Sequence, residues 1–268
     1  MLSRVLDRHH VRVIGQGDQT LVFAHGFGTD QNAWRYQVAA FAPFYRIVLF
    51  DHIGAGQSDL SVYSPRRYRS LYSYAEDLLE LSAQLRLEDV ILIGHSVSGM
   101  VGVLAALLDP NRFRQLVLVT ASPRYLNDPE TGYVGGFEQS DLDALYASMS
   151  VNYHAWAGGF APLVMANPER PELAIEFAKT LSAMRPDIAQ AVARTIFQSD
   201  HRAELPKLKV PATILQSNND IAVPVQVGRY LAAKIPQAEL INIDAEGHLP
   251  HLSAPGVVTR TLAECFTA

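Results

Sequence analysis

The sequence predicts a doubly wound α/β fold: a mostly parallel sheet of about eight strands with helices on both faces, interrupted late by an all-helical insertion. Three observations predict it. Short apolar runs rich in β-branched residues recur without polar alternation, as strands buried on both faces require. Helical patterns lie between those runs. From about Pro123 to Glu204 the strand pattern stops.

In chain order, Val11-Arg12-Val13 and the Gly15-Gln16-Gly17-Asp18 turn read as an early antiparallel hairpin. Buried strands follow over 21–24, 46–50 and 90–93. Leu71, Ala75, Leu78, Leu79, Ser82 and Leu85 share one helical face, which places a helix before the 90–93 strand. A helix over 97–108 and a strand over 115–119 come next. Helices are then expected over 141–156, about 160–166, 172–184 and 187–197, punctuated by Pro162, Pro168, Pro171 and Pro186. Strands resume over 212–215 and 240–243. This divides the chain into a core, 1–122 and 204–268, and a helical cap, 123–203, over the carboxyl edge of the sheet, where open α/β sheets bind ligands.

Composition narrows the function classes. With 22 basic and 27 acidic residues the net charge is −5, and no Lys/Arg run could track a phosphate backbone, which argues against a nucleic-acid partner. The one cysteine, Cys265, permits no intrachain disulfide and no cysteine-based metal site. Residues 1–10 are polar and charged, unlike a secretory signal, and the longest apolar run, 100–108, is too short to span a bilayer. A cytoplasmic protein is expected, without membrane association.

The chemistry centres on Gly94-His95-Ser96-Val97-Ser98. Between a buried strand and a helix, this is a sharp turn that lifts the Ser96 hydroxyl clear of the sheet. The positions two away must be small; Gly94 is, and Ser98, though it replaces the usual glycine, is small too. A serine hydroxyl needs a base. His248, in Glu246-Gly247-His248-Leu249-Pro250 after the last strand, lies at the same sheet edge, with His251 as its rival. His95 adjoins the serine but should point away from it. The base needs a carboxylate to hold its tautomer. Asp220, after the 212–215 strand, gives the chain order Ser, Asp, His; Asp244 is the alternative, too near His248 to orient it easily. His25-Gly26-Phe27-Gly28, after the first buried strand, reads as an oxyanion loop. The expected oxyanion donors are the N–H groups of Phe27 and Val97.

The insertion is rich in aromatic side chains, most of which belong to helix packing. Candidate ligand contacts are His25, Phe27, Tyr125, Trp156, Phe160 and Phe197. An aromatic wall with few charges favours a neutral, compact ligand. A serine hydrolase of small apolar esters or lactones, with no metal and no cofactor, is the expectation. A carboxylate nucleophile, as a dehalogenase needs, is excluded by Ser96.

Several segments together are more specific than the turn alone: His25-Gly26-Phe27-Gly28-Thr29-Asp30-Gln31, Gly94-His95-Ser96-Val97-Ser98, Tyr125-Leu126-Asn127-Asp128, Gly135-Gly136-Phe137-Glu138, Phe197-Gln198-Ser199-Asp200 and Glu246-Gly247-His248-Leu249-Pro250. In them, and over nearly its whole length, the chain resembles the RsbQ-like group of α/β-hydrolases. That group includes a bacterial stress-signalling regulator and the plant karrikin and strigolactone receptors. The stretch from Phe50 to Leu60 looks more like the bacterial member, and Ser98 more like the plant ones. The resemblance implies a V-shaped cap of four helices, a deep hydrophobic cavity and slow hydrolysis of a butenolide-type compound coupled to signalling. It carries the triad onto Ser96, Asp220 and His248. It also implies a protein partner, in bacteria a PAS-domain phosphatase. The alternative to a metabolic hydrolase is therefore a ligand-sensing regulator in which hydrolysis is slow or incidental.

Overall fold

The computed structural model describes residues 5–267; the first four residues of the 1–10 stretch discussed above lie outside it. Seven strands form one sheet among the described residues: β1 (Arg12–Ile14), β2 (Thr20–Ala24), β3 (Arg46–Phe50), β4 (Val90–His95), β5 (Phe113–Val119), β6 (Ala212–Asn218) and β7 (Ala238–Glu246). The strand order is β1-β3-β2-β4-β5-β6-β7, with β1 antiparallel to β3 and the rest parallel. The helices are α1 (Val5–Arg8), α2 (Arg35–Phe41), α3 (Leu71–Gln84), α4 (Val97–Leu108), α5 (Gln139–Val151), α6 (Tyr153–Met165), α7 (Pro171–Ala183), α8 (Pro186–Phe197), α9 (Val225–Lys234), α10 (Pro250–Ser253) and α11 (Pro255–Thr267). No helix among the described residues is long and apolar enough to cross a membrane.

The strands read as doubly buried are so, except β7, an edge strand on which Glu239, Asn242 and Asp244 are exposed. Their alternate residues feed two cores, as a period of two dictates. Leu21, Phe23, Ile47, Leu49, Ile91 and Ile93 pack with Phe41 of α2 and with Val258 and Leu262 of α11. Val22, Ala24, Val48, Phe50 and Leu92 pack with Leu71 and Leu78 of α3 and with Met100 and Val103 of α4.

Two expectations are corrected. The early hairpin does not form. β1 is antiparallel, as expected, but its partner is β3, through Arg12–Leu49, Val13–Val48 and Ile14–Ile47. β2 has no edge left for it, being paired with β3 on one side and β4 on the other. The helix expected over 141–156 breaks at Asn152, whose side chain accepts from the Ala155 N–H at 3.0 Å and caps α6. α6 then runs through Gly158 and Gly159 and tolerates Pro162, merging two expected helices.

The order of strands sets the site. The chain leaves β2 for β3 on one side and returns to β4 on the other, so β2 and β4 flank the point where the winding reverses. Crevices at such points hold ligands in open α/β sheets. Ala24 is in register with Gly94, so the loops after β2 and β4 start at one level. Helices α7 and α8, between β5 and β6, pack against loops at this edge. Phe177 and Leu181 close over Gly28, Ile188 lies over Gly54, and Glu176 of α7 pairs with Arg35 at 2.7 Å.

Candidate active site

Ser96 sits between β4 and α4 with φ 56° and ψ −123°. A non-glycine residue holds that conformation only where its surroundings impose it. They do so through the Ser96 N–H, which donates to the Val119 carbonyl of β5 at 2.8 Å. Gly94 must be glycine, because a Cβ there would lie 2.5 Å from the Ser98 carbonyl oxygen.

Ser96 Oγ is 2.8 Å from His248 Nε2, and His248 Nδ1 is 2.7 Å from Asp220 Oδ2. Asp220 is buried, and its other oxygen accepts from the N–H groups of Ala222 at 2.8 Å and Val223 at 3.0 Å. The carboxylate therefore cannot turn away from the ring. With Nδ1–H donating to Asp220, Nε2 is the lone pair that faces Ser96.

The end of β6 is stitched to the loop after β7. The Gly247 N–H donates to Asn218 O at 3.0 Å, and Ser217 Oγ donates to Gly247 O. The backbone of His248 is held on both sides. Its carbonyl accepts from His95 Nε2 at 2.8 Å and Thr120 Oγ1 at 3.1 Å. Its N–H donates to Val164 O of α6 at 2.9 Å. Gly247, at φ +79°, permits that approach: a Cβ there would stand 2.2 Å from Met165 O.

His95 turns away from Ser96, as expected, and burial holds its pKa well below the ordinary histidine value. The neutral ring keeps the Nε2–H that His248 O needs. The rivals lie elsewhere. His251 is fully buried, with its ring 4.4 Å from both Trp34 and His95, and burial pushes its pKa down to about 3. Asp244 is exposed on β7.

The loop after β2 abuts the serine. A Cβ on Gly26 would lie 3.2 Å from Ser96 Cβ. The Gly26 carbonyl accepts from His25 Nδ1 and from Thr29 Oγ1, each at 2.9 Å. Val97 is the first residue of α4, where helix N–H groups have no intrahelical partner. Phe27 and Val97 both line a narrow cavity, with Val101 and Tyr74 on its wall and Met184, Val192 and Ile196 closing it from the insertion. Its unfilled volume, open mouth included, is about 390 Å³. Its lining is almost wholly apolar, which suits a small neutral ligand.

The other expected ligand contacts divide. His25 lines the cavity. Tyr125 is buried beside the serine, its Oη 3.3 Å from Ser96 Oγ, and burial raises its pKa so that it remains a hydrogen-bond donor. Phe197 packs edge-on against Tyr125 at 5.0 Å. Trp156 and Phe160, one turn apart on α6, stack on each other at 5.0 Å and do not line this cavity. No catalytic motif assigns a role to Thr120, Thr29, His52 or the Val164 carbonyl; all four touch the site through backbone groups or a second histidine. No group of three or more His, Cys, Asp or Glu side chains among the described residues is placed to hold a metal ion.

Residues 19–255 match the family model of the alpha/beta hydrolase fold. The chain belongs to the α/β-hydrolase fold family. It is 46% identical over 259 residues to "Karrikin insensitive 2 receptor CA" of Petunia hybrida, covering 96% of this chain and 95% of that one. It is 43% identical over 263 residues to "Strigolactone esterase RMS3" of Pisum sativum, covering 98% of each. Among solved structures, a hydrolase from Oleispira antarctica superimposes with a TM-score of 0.95 at 38% identity, over 98% of this chain and 96% of that one. The resemblance drawn from the sequence motifs and these relatives agree.

Proposed function

We propose that the protein is a serine hydrolase of small, apolar esters, lactones or butenolide-type compounds. One observation carries the reading: the unbroken line Asp220 Oδ2, His248 Nδ1, His248 Nε2, Ser96 Oγ, with steps of 2.7 and 2.8 Å, beside an apolar cavity. In this reading Ser96 Oγ attacks the ester carbonyl as its proton passes to His248 Nε2, and Asp220 stabilises the imidazolium. The N–H groups of Phe27 and Val97 hold the oxyanion. His248 then returns the proton to the leaving alkoxide, and water, deprotonated by the same nitrogen, releases the acid from Ser96. Residues 123–203 act as the cap over a core made of 1–122 and 204–268, and the protein works in the cytoplasm. The test is hydrolysis of p-nitrophenyl acetate by wild type and Ser96→Ala. Loss of turnover in the variant is expected; equal rates overturn the reading.

A second reading is favoured by one contact. The His248 N–H donates to Val164 O of α6, so the base and the cap share a hydrogen bond. In that reading a slow reaction at Ser96 reports the ligand through the cap to a protein partner, for which the bacterial group offers a PAS-domain phosphatase. Several relatives carry receptor names. A melting scan with a butenolide-bearing ligand separates the two. A shift with negligible turnover favours sensing, whereas fast turnover with no shift in Ser96→Ala favours metabolism.

A further inference from the structure

Ser98 stands where the sequence reading expects glycine, and its hydroxyl is fully buried. It donates to the carbonyl of His25. His52 Nε2 lies 2.7 Å from the same hydroxyl. A carbonyl can only accept, so the Ser98 proton is committed and His52 must donate its Nε2–H to Ser98 Oγ. The His52 backbone N–H donates to His25 Nε2 at 3.0 Å. That nitrogen is therefore a lone pair, and His25 carries its proton on Nδ1, which donates to Gly26 O at 2.9 Å. Three of these bonds close a ring through Ser98, His25 and His52, and the fourth extends it to Gly26, so that two consecutive carbonyls, those of His25 and Gly26, are held.

The second of these carbonyls matters for the chemistry. Gly26 C=O and Phe27 N–H belong to one planar peptide unit, and the described chain has no cis peptide bond. Fixing the carbonyl fixes the N–H, which then points the opposite way. We propose that Ser98 and His52 are positioning residues that hold the oxyanion loop, so that the Phe27 N–H meets the developing charge on a substrate attacked by Ser96. The inference rests on the hydrolase reading above. Neither residue touches the reacting atoms. Ser98 acts through the His25 carbonyl, and His52 acts both through Ser98 and through His25 Nε2. A glycine at 98 would take these hydrogen-bond partners from the His25 carbonyl and the His52 Nε2–H, both buried.

The experiment is steady-state hydrolysis of p-nitrophenyl acetate, with inhibition by phenylboronic acid, whose anionic serine adduct fills the oxyanion hole. Removing an oxyanion donor outright costs about 10²–10³ in turnover, so a misaimed donor is expected to cost about 10- to 100-fold. Ser98→Ala should lower kcat by that factor with KM within about twofold, and weaken the boronate by the factor seen in kcat. His52→Leu should do the same. His52→Gln, which keeps a donor near the Nε2 position, should recover most of the loss. Wild-type kcat and boronate affinity in Ser98→Ala overturn the clamp. So do losses in Ser98→Ala that fall on KM alone, or a His52→Gln that is no better than His52→Leu at matched melting temperature. Ser96→Ala runs alongside. If Ser96-dependent hydrolysis persists while Ser98→Ala matches wild type, the clamp fails and the hydrolase reading stands. If wild-type hydrolysis does not depend on Ser96, both fail.

Discussion

Ser96 and Ser98 stand on the same turn, and each lies about equally close to a histidine nitrogen: 2.8 Å to His248 Nε2 and 2.7 Å to His52 Nε2. Distance alone does not separate them; their surroundings do. His248 has a buried carboxylate behind it at 2.7 Å, whereas His52 has ring neighbours in Phe50, Tyr74 and His25. Burial, with His25 and His9 nearby, holds the His52 pKa well below the ordinary value, so it stays neutral. The Ser98 proton already belongs to a carbonyl. One serine–histidine pair can pass a proton on, and the other can only hold its shape. A nucleophile is defined by where its proton can go, not by a short contact.

The sharpest way to break this comparison is to delete each hydroxyl in turn. Ser96→Ala should remove turnover by about 10⁶-fold, as loss of a triad serine does elsewhere, so a measured fall no larger than that of Ser98→Ala erases the distinction. Next is the carboxylate. Asp220→Asn should lower kcat by about 10⁴-fold with the fold intact, because the wrong histidine tautomer then faces Ser96. Stopped-flow kinetics beside a circular dichroism melt would read both effects.

A smaller effect tests what supports His248. Gly247→Ala forces a left-handed residue against Met165 O and should cost at least about 2 kcal/mol, or roughly 4–8 °C in Tm. Unchanged melting would show that α6 yields at no cost.

The smallest effect concerns the silent histidines. His52, His95 and His251 have folded pKa values below the ordinary histidine value of about 6.5. The unfolded chain therefore binds more protons than the folded one as pH falls below about 6.5, and stability falls with it. For His251 that loss continues down to about pH 3. Both ring nitrogens of His251 are buried without partners, so His251→Phe should keep the packing on Trp34 and remove up to one proton's share of the slope. A Tm–pH series between pH 4 and 7 that is identical in the two proteins would contradict this.

Much of the fold and of the candidate site was legible in the sequence, because each clue was local. The runs 21–24 and 90–93 are apolar on both faces, so they mark central strands. The Gly94–Ser98 turn fixes its own geometry, and Asp220 and His248 follow strands whose ends meet at one edge. The pairing of β1 was not legible, because it depends on which edges β2 has left free. The break at Asn152 was hidden because an apolar periodicity runs through it, and only the side chain's turn toward Ala155 reveals the cap. His52 carries no motif. Its part follows from two hydrogen bonds to residues 27 and 46 positions away in the chain.

The hydrogen bond from the His248 amide to Val164 O has a kinetic consequence. An amide proton exchanges with solvent only when its bond opens. This bond joins His248 to a helix of the insertion, so its deuterium uptake times how often α6 lifts from the sheet edge. Ser96→Ala leaves that clock running. A ligand that seats the insertion would slow it, and one that displaces the insertion would speed it, with no substrate consumed.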